Sequence, residues 1–203
     1  MARSYPTDWV RFCDIEKKYG GFTNYNLKAG TTIGDLNRFA ARYIMAKDFD
    51  KIIINNSTPD TMLGYEALMR SLFVWSASEA YHNVLPGTAG KYKYLIFNAS
   101  EQSALGSTLN AIGPEIKTFY TFISSNCDPF LQPEINSFLA GNDPNPMYLL
   151  ASIRHVFSHG ELSANVKGVN PKSIKKITEL LKDIILDKID IHFTALVQSH
   201  PNY

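Results

Sequence analysis

Met147-Tyr-Leu-Leu-Ala-Ser-Ile-Arg-His-Val-Phe-Ser-His-Gly160 is the stretch on which the fold turns. Its first half reads as an apolar helix. Its last turn collects Arg154, His155, Ser158 and His159. Gly160 then stops it, glycine being the usual residue just past a helix end. Asn145-Pro146 stands directly before it. A capping side chain followed by proline is a helix start, because the N–H that proline lacks has no partner in the first turn anyway.

Working outward, the same start recurs at Thr58-Pro59 and at Asn170-Pro171. The first opens the longest helix, with Tyr65, Leu68, Met69, Leu72, Phe73, Ala80 and Val84 at helical spacing and Trp75 and Tyr81 widening the stripe. Such a helix is central, and Leu85-Pro86-Gly87 ends it. The second opens a helix to about Gln198, with Ile174, Ile177, Leu181, Ile184 and Ile185 inward and Lys175, Lys176, Lys182 and Asp183 outward. Residues 200–203 follow as a frayed tail.

The remaining segments are shorter. Asp8 to Tyr19 predicts a helix ended by Gly20-Gly21, and residues 20–30 a loop. Thr31 or Thr32 caps the next helix, with Asp35 returning the bond as in a capping box. Its apolar face is Ile33, Leu36, Ala40, Tyr43 and Ile44. Ile52-Ile53-Ile54 reads as a short strand or a helix tail. Residues 86–99 are a connector whose alternation at Tyr92, Tyr94 and Ile96 suggests one extended segment. Ser100 to Ile112 is a helix, Gly113-Pro114 starts another, and residues 134–140 form at most a short one. The sum is all-α: an irregular bundle of five to seven helices, at least ~60% helix against a globular average of about a third. The long helices at 58–85 and 171–198 flank the motif helix.

With 203 residues the chain suits a single domain, here an N-terminal extension (1–57) on a helical core (58–203). The net charge is +1, so an anionic polymer finds no basic surface to wrap, only a local cluster of cations. Cys13 and Cys127 have no metal-ribbon spacing and build no disulfide framework. Residues 1–9 lack an apolar signal core, and no apolar run approaches the ~20 residues that span a bilayer. A soluble cytoplasmic protein, off the membrane, is the expectation.

The motif carries the chemistry. Metal-free RNA cleavage needs a base for the 2′-hydroxyl proton, a cation for the charge growing on phosphate, and an acid for the leaving 5′-oxygen. Histidine titrates near 6.5 and suits both proton steps. Arginine donates two parallel hydrogen bonds to a phosphate. Arg154, His155 and His159 have these properties. Residues five apart on a helix point about 140° away from each other. Arg154 and His159 therefore share a pocket only if the helix ends near Ser158, if the arginine's length bridges the gap, or if a second copy supplies the missing partner.

An arginine, a polar residue directly after it and a histidine five positions on resemble the R-x4-6-H signature of the HEPN superfamily, small helical domains many of which are metal-independent ribonucleases. The resemblance rests on residues 147–162 and extends through the C-terminal half by helix pattern. It implies an HEPN-like core, His159 as proton-transfer residue and Arg154 as phosphate clamp. His155, where the family often has asparagine, is a second proton-transfer group or orients Arg154. It further implies a single-stranded RNA or tRNA substrate, a homodimer with two motifs facing across a twofold axis, a toxin or defence role with an antitoxin partner, and no cofactor or metal. Glu161 stands where one branch of the family has a modified tyrosine, so that modification is not expected here.

Competing explanations exist for each residue. Cations at a helix C-terminus are favoured by its dipole alone, by about 0.3–1 kcal/mol each. A non-catalytic HEPN-like module binding a nucleotide or a protein is the alternative function. His155 and His159 have metal-ligand spacing, but Val156 occupies the place of the zinc-protease glutamate and no carboxylate or cysteine supports them. Glu79 and His82 fit an amphipathic face as well as a site. Lys172, Lys175, Lys176 and Lys182 fit a solvated face as well as an RNA contact.

Overall fold

A computed structural model describes residues 3–20, 24–87 and 89–203. Among these the chain forms α1 (Trp9–Tyr19), α2 (Ile33–Asp48), α3 (Pro59–His82), α4 (Ala99–Ile112), α5 (Glu115–Asn126), α6 (Gln132–Leu139), α7 (Pro146–Ser158) and α8 (Pro171–Gln198). The described residues contain no strand, and the fold is 64% helix. The eight helices exceed the expected five to seven because both short segments, α1 and α6, form. The loop expected over 20–30 includes Gly21, Phe22 and Thr23, and the connector over 86–99 includes Thr88; these lie outside the described residues.

The helix starts are local chemistry. Each cap-then-proline pair opens its helix, with Thr58 Oγ1 accepting from the Thr61 N–H, Asn145 Oδ1 from Met147 and Asn170 Oδ1 from Lys172. Thr32 and Asp35 close the expected capping box on α2. Asn98 and Glu101 close another on α4, which the sequence had not signalled. Such caps satisfy N–H groups that have no partner inside the helix.

Helix α3 packs against α2, α7 and α8, and α7 also against α5, α6 and α8. Beyond its first two residues, Pro59 and Asp60, no residue of α3 is exposed, in keeping with a central position, although it ends at His82 and α8 is the longer helix. The N-terminal 57 residues share the same core: Phe12 and Phe39 lie 5.9 and 5.6 Å from Phe193 of α8, and Phe39 lies 4.6 Å from Tyr81 of α3. Burying each such side chain contributes about 1.5–3 kcal/mol.

Some expectations fail for tertiary reasons. Ile52–Ile54 is neither strand nor helix, and Ile53 stays 82% exposed because no neighbouring element covers it. The connector turns at 91–95 instead of extending, so Tyr94 and Leu95 are buried and Ile96 faces solvent. Ile33 is exposed at the start of α2, where Phe39 and Ala46 fill the face. Lys175 turns inward to Glu66 at 2.8 Å. The tail is anchored rather than frayed: His200 is buried against the Tyr25 ring at 4.5 Å, and Arg11 donates to the Asn202 and Tyr203 carbonyls.

Gly64 shows why the motif end is held still. A Cβ there would lie 2.1 Å from the Ala164 carbonyl oxygen. The segment that leaves α7 thus crosses α3 with its backbone directly against the helix, and glycine makes that approach possible.

Candidate functional site

Helix α7 buries the nine residues from Pro146 to Ile153 and Val156, leaves Arg154, His155 and Phe157 half-buried and exposes Ser158 at its end. Gly160 adopts φ +81°, a left-handed conformation that costs other residues energy. Its N–H donates to Phe157 O, and the Glu161 N–H to Val156 O. That paired closure satisfies two of the last carbonyls and fixes where His159 sits. Ser158 is accounted for locally, its hydroxyl donating to the Arg154 and His155 carbonyls at 2.8 and 3.2 Å.

The structure brings His155 and His159 together. Their ring centroids lie 4.3 Å apart at 37°. Spaced one turn apart, they share a helix face with Tyr148, each within about 20° of its direction. His155 Nδ1 is buried and has no hydrogen-bond partner among the described residues. Desolvation pulls the His155 pKa below its ordinary value; the charges of His159 and Arg154 add to the effect, and Asp128 opposes it. His155 is therefore held neutral at physiological pH, a proton acceptor at rest.

Arg154 is not brought onto His159. The helix stays regular through Ser158, so the angular separation of about 140° persists. Among the described residues its guanidinium makes no hydrogen bond or ion pair. Its charge nevertheless reaches His155 on one side and Tyr92 on the other. A half-buried, unneutralised arginine beside a neutral histidine is suited to an anion.

Residues that sequence reasoning missed complete the site. Asp128 begins a turn in which its Oδ1 accepts the Phe130 N–H at 2.8 Å and its carbonyl accepts the Leu131 N–H. This turn sets Phe130 beside Tyr92 and Tyr148. Asp128-Pro129 is a legible turn signal, but nothing in the sequence says that the turn lies next to His155.

The remaining candidates lie elsewhere. Glu79 pairs with Lys91 at 3.8 Å, and His82 Nε2 donates to the Ala89 carbonyl at 2.8 Å. Lys182 pairs with Asp183, and Lys175 with Glu66, so the lysines of α8 form no continuous strip. Cys13 is exposed and Cys127 buried. Among the described residues no group of three or more metal-ligating side chains includes the two histidines, and no helix is long and apolar enough to cross a membrane.

No family model matches the chain, and no curated protein or solved structure does.

Proposed function

We propose that the chain is an HEPN-like, metal-independent endoribonuclease of a toxin or defence type. The observation that carries this is the pairing of a neutral His155 with His159 on the exposed end of α7, next to an unneutralised Arg154. His155 takes the proton of the ribose 2′-hydroxyl, and the oxygen attacks the adjacent phosphorus. Arg154 stabilises the charge on the phosphate oxygens. His159, in its protonated form, gives a proton to the departing 5′-oxygen. The products are a 2′,3′-cyclic phosphate and a 5′-hydroxyl, and the enzyme ends with the two histidines' protons exchanged.

Geometry sets two conditions on this proposal. Rings in contact leave no room for a phosphate between them, so it approaches their exposed edges. Arg154 and His159 of one chain diverge, and a second copy facing the last turn of α7 supplies the missing pairing. The body of α7 is buried within its own chain, which leaves only that turn for a twofold contact.

The test is cleavage of unstructured RNA by the purified chain in excess EDTA, with the ends identified by mass spectrometry. Cyclic phosphate ends are expected. Dependence on an added divalent metal, or no cleavage at all, refutes the proposal.

A second reading, a non-catalytic module that binds a protein such as an antitoxin, draws on a different face. Phe97, Leu105, Ile184 and Ile191 line a cavity of about 310 Å³ between α4 and α8, and Ile191 is 65% exposed. Apolar surface of this kind commonly marks a protein contact.

A further inference from the structure

Phe130 is 60% exposed, yet it is not loose. Its N–H is tied to Asp128, and its ring lies 5.5 Å from Tyr92 and 6.3 Å from Tyr148, at interplanar angles of 36° and 29°. Tyr92 stacks on Tyr148 at 5.2 Å and leans on Trp75 at 5.6 Å. The result is an aromatic stack with its buried side braced and Phe130 open to solvent. Cations flank it: Lys91 Nζ is 5.5 Å from the Tyr92 centroid, and the charge of Arg154 falls on Tyr92. Tyr148 shares its helix face with His155, seven residues and about 10 Å along the axis.

We infer that this stack is a base-binding subsite, in which one unpaired nucleobase of single-stranded RNA lies on Phe130 while the neighbouring phosphate reaches Arg154 and the histidines. The inference rests on the ribonuclease proposal and adds the place on the fold that would hold a base of its substrate. Aromatic side chains accept the face of any base, whereas a duplex keeps its bases stacked inside and offers none. The carboxylates nearby restrict the subsite to a single base. Asp128 sits in the Phe130 turn and the charge of Glu134 falls on Tyr148, so a second phosphate on that side is repelled.

Fluorescence anisotropy with a labelled, unstructured oligoadenylate tests this. Its 2′-O-methyl groups prevent cleavage, and a duplex RNA of equal length serves as control. Phe130→Ala is expected to weaken single-strand binding by about five- to a hundred-fold, the loss of one base stack. Phe130→Trp keeps the wild-type affinity, Phe130→Leu does not, and duplex binding is unchanged throughout. Because Phe130 is 60% exposed, Phe130→Ala still folds, with only a small fall in melting temperature from its lost ring contacts to Tyr92 and Tyr148. If Phe130→Ala or Phe130→Leu binds the single strand like wild type while Arg154→Ala abolishes cleavage, the subsite is refuted and the ribonuclease proposal stands. Equal losses on single strand and duplex also refute it. If the wild type neither binds nor cuts RNA, both proposals fall.

Discussion

The Asp128 carboxylate acts on His155 across the site, raising a proton affinity that desolvation, His159 and Arg154 together lower. The balance favours the neutral ring. If His155 is the base, the acid limb of the kcat/KM profile for RNA cleavage lies below 6.5, because the reactive neutral form persists to lower pH. Asp128→Asn should move that limb further down, since it removes the one charge that stabilises the imidazolium. The asparagine oxygen still accepts the Phe130 N–H, so the turn survives. An acid limb that ignores the substitution would rule out His155 as the titrating base.

His159→Ala should lose about 10²–10⁴-fold in rate, the contribution of one general acid–base group. Arg154→Ala should lose a comparable factor, and Arg154→Lys should restore only part of it, because an ammonium cannot fork onto a phosphate. Steady-state rates with a fluorogenic RNA measure all three. Full activity of Arg154→Lys would show that the arginine supplies charge alone. In mixed dimers, an Arg154→Ala chain and a His159→Ala chain should recover activity together if the two residues pair across copies, and stay inactive if they do not.

Stability should depend on pH through two partly desolvated histidines, His155 and His192. Burial lowers the pKa of both His155 and His192. Between those lowered values and the free value of 6.5, the unfolded chain binds protons that the folded chain refuses. Their contribution is complete above about 6.5 and is lost as the pH falls toward the folded values. Asp35 and Glu101, held down by hydrogen bonds from Thr32 and Lys188, act in a separate window at lower pH. Melting curves from pH ~7.5 to ~5.5 should show a falling Tm, and His192→Gln should flatten the slope. A Tm that is flat in the wild type over this range contradicts the assignment.

The sequence made some of this legible and hid the rest. Capping is local, so Thr58-Pro59, Asn145-Pro146, Asn170-Pro171 and the Thr32–Asp35 box could be read from a few adjacent residues. The Gly160 stop was legible for the same reason. The partners of the motif were not, because Asp128, Phe130 and Tyr92 come from segments about 25 to 60 positions earlier, and only tertiary packing brings them to His155. Helical geometry gave fair warning about Arg154 and His159, and the four-residue spacing of His155 and His159 already put those two on one helix face. The anchoring of the tail escaped notice because His200 reads as polar until Tyr25 is seen beneath it.

Arg70 and Glu66 are both buried on α3, 3.4 Å apart, with Lys175 reaching Glu66 from α8 at 2.8 Å. Breaking one side of a buried pair typically costs about 3–5 kcal/mol, whereas replacing both sides by apolar groups can be nearly neutral. Glu66→Gln should therefore lower the denaturation midpoint strongly, and Glu66→Leu with Arg70→Met should recover most of it. The unpartnered Arg70 Nε and Nη1 strengthen this expectation, because the guanidinium is already under-satisfied. Urea titrations of the two variants decide it; a double variant weaker than Glu66→Gln would mean that the charges stabilise the fold.

The crossing of Ala164 over Gly64 links two stretches far apart in the chain. Position 64 admits no side chain while that backbone lies where it does, and the backbone lies there because the His159-Gly160 stop sends the chain back over α3. The two features are therefore expected to be inherited together. A glycine five residues after a cap-and-proline start, followed much later by Arg-His-x-x-x-His-Gly, is a two-part signature for finding descendants of the same ancestor. A relative that keeps the stop and the crossing but places a bulky residue at the first position would contradict this linkage.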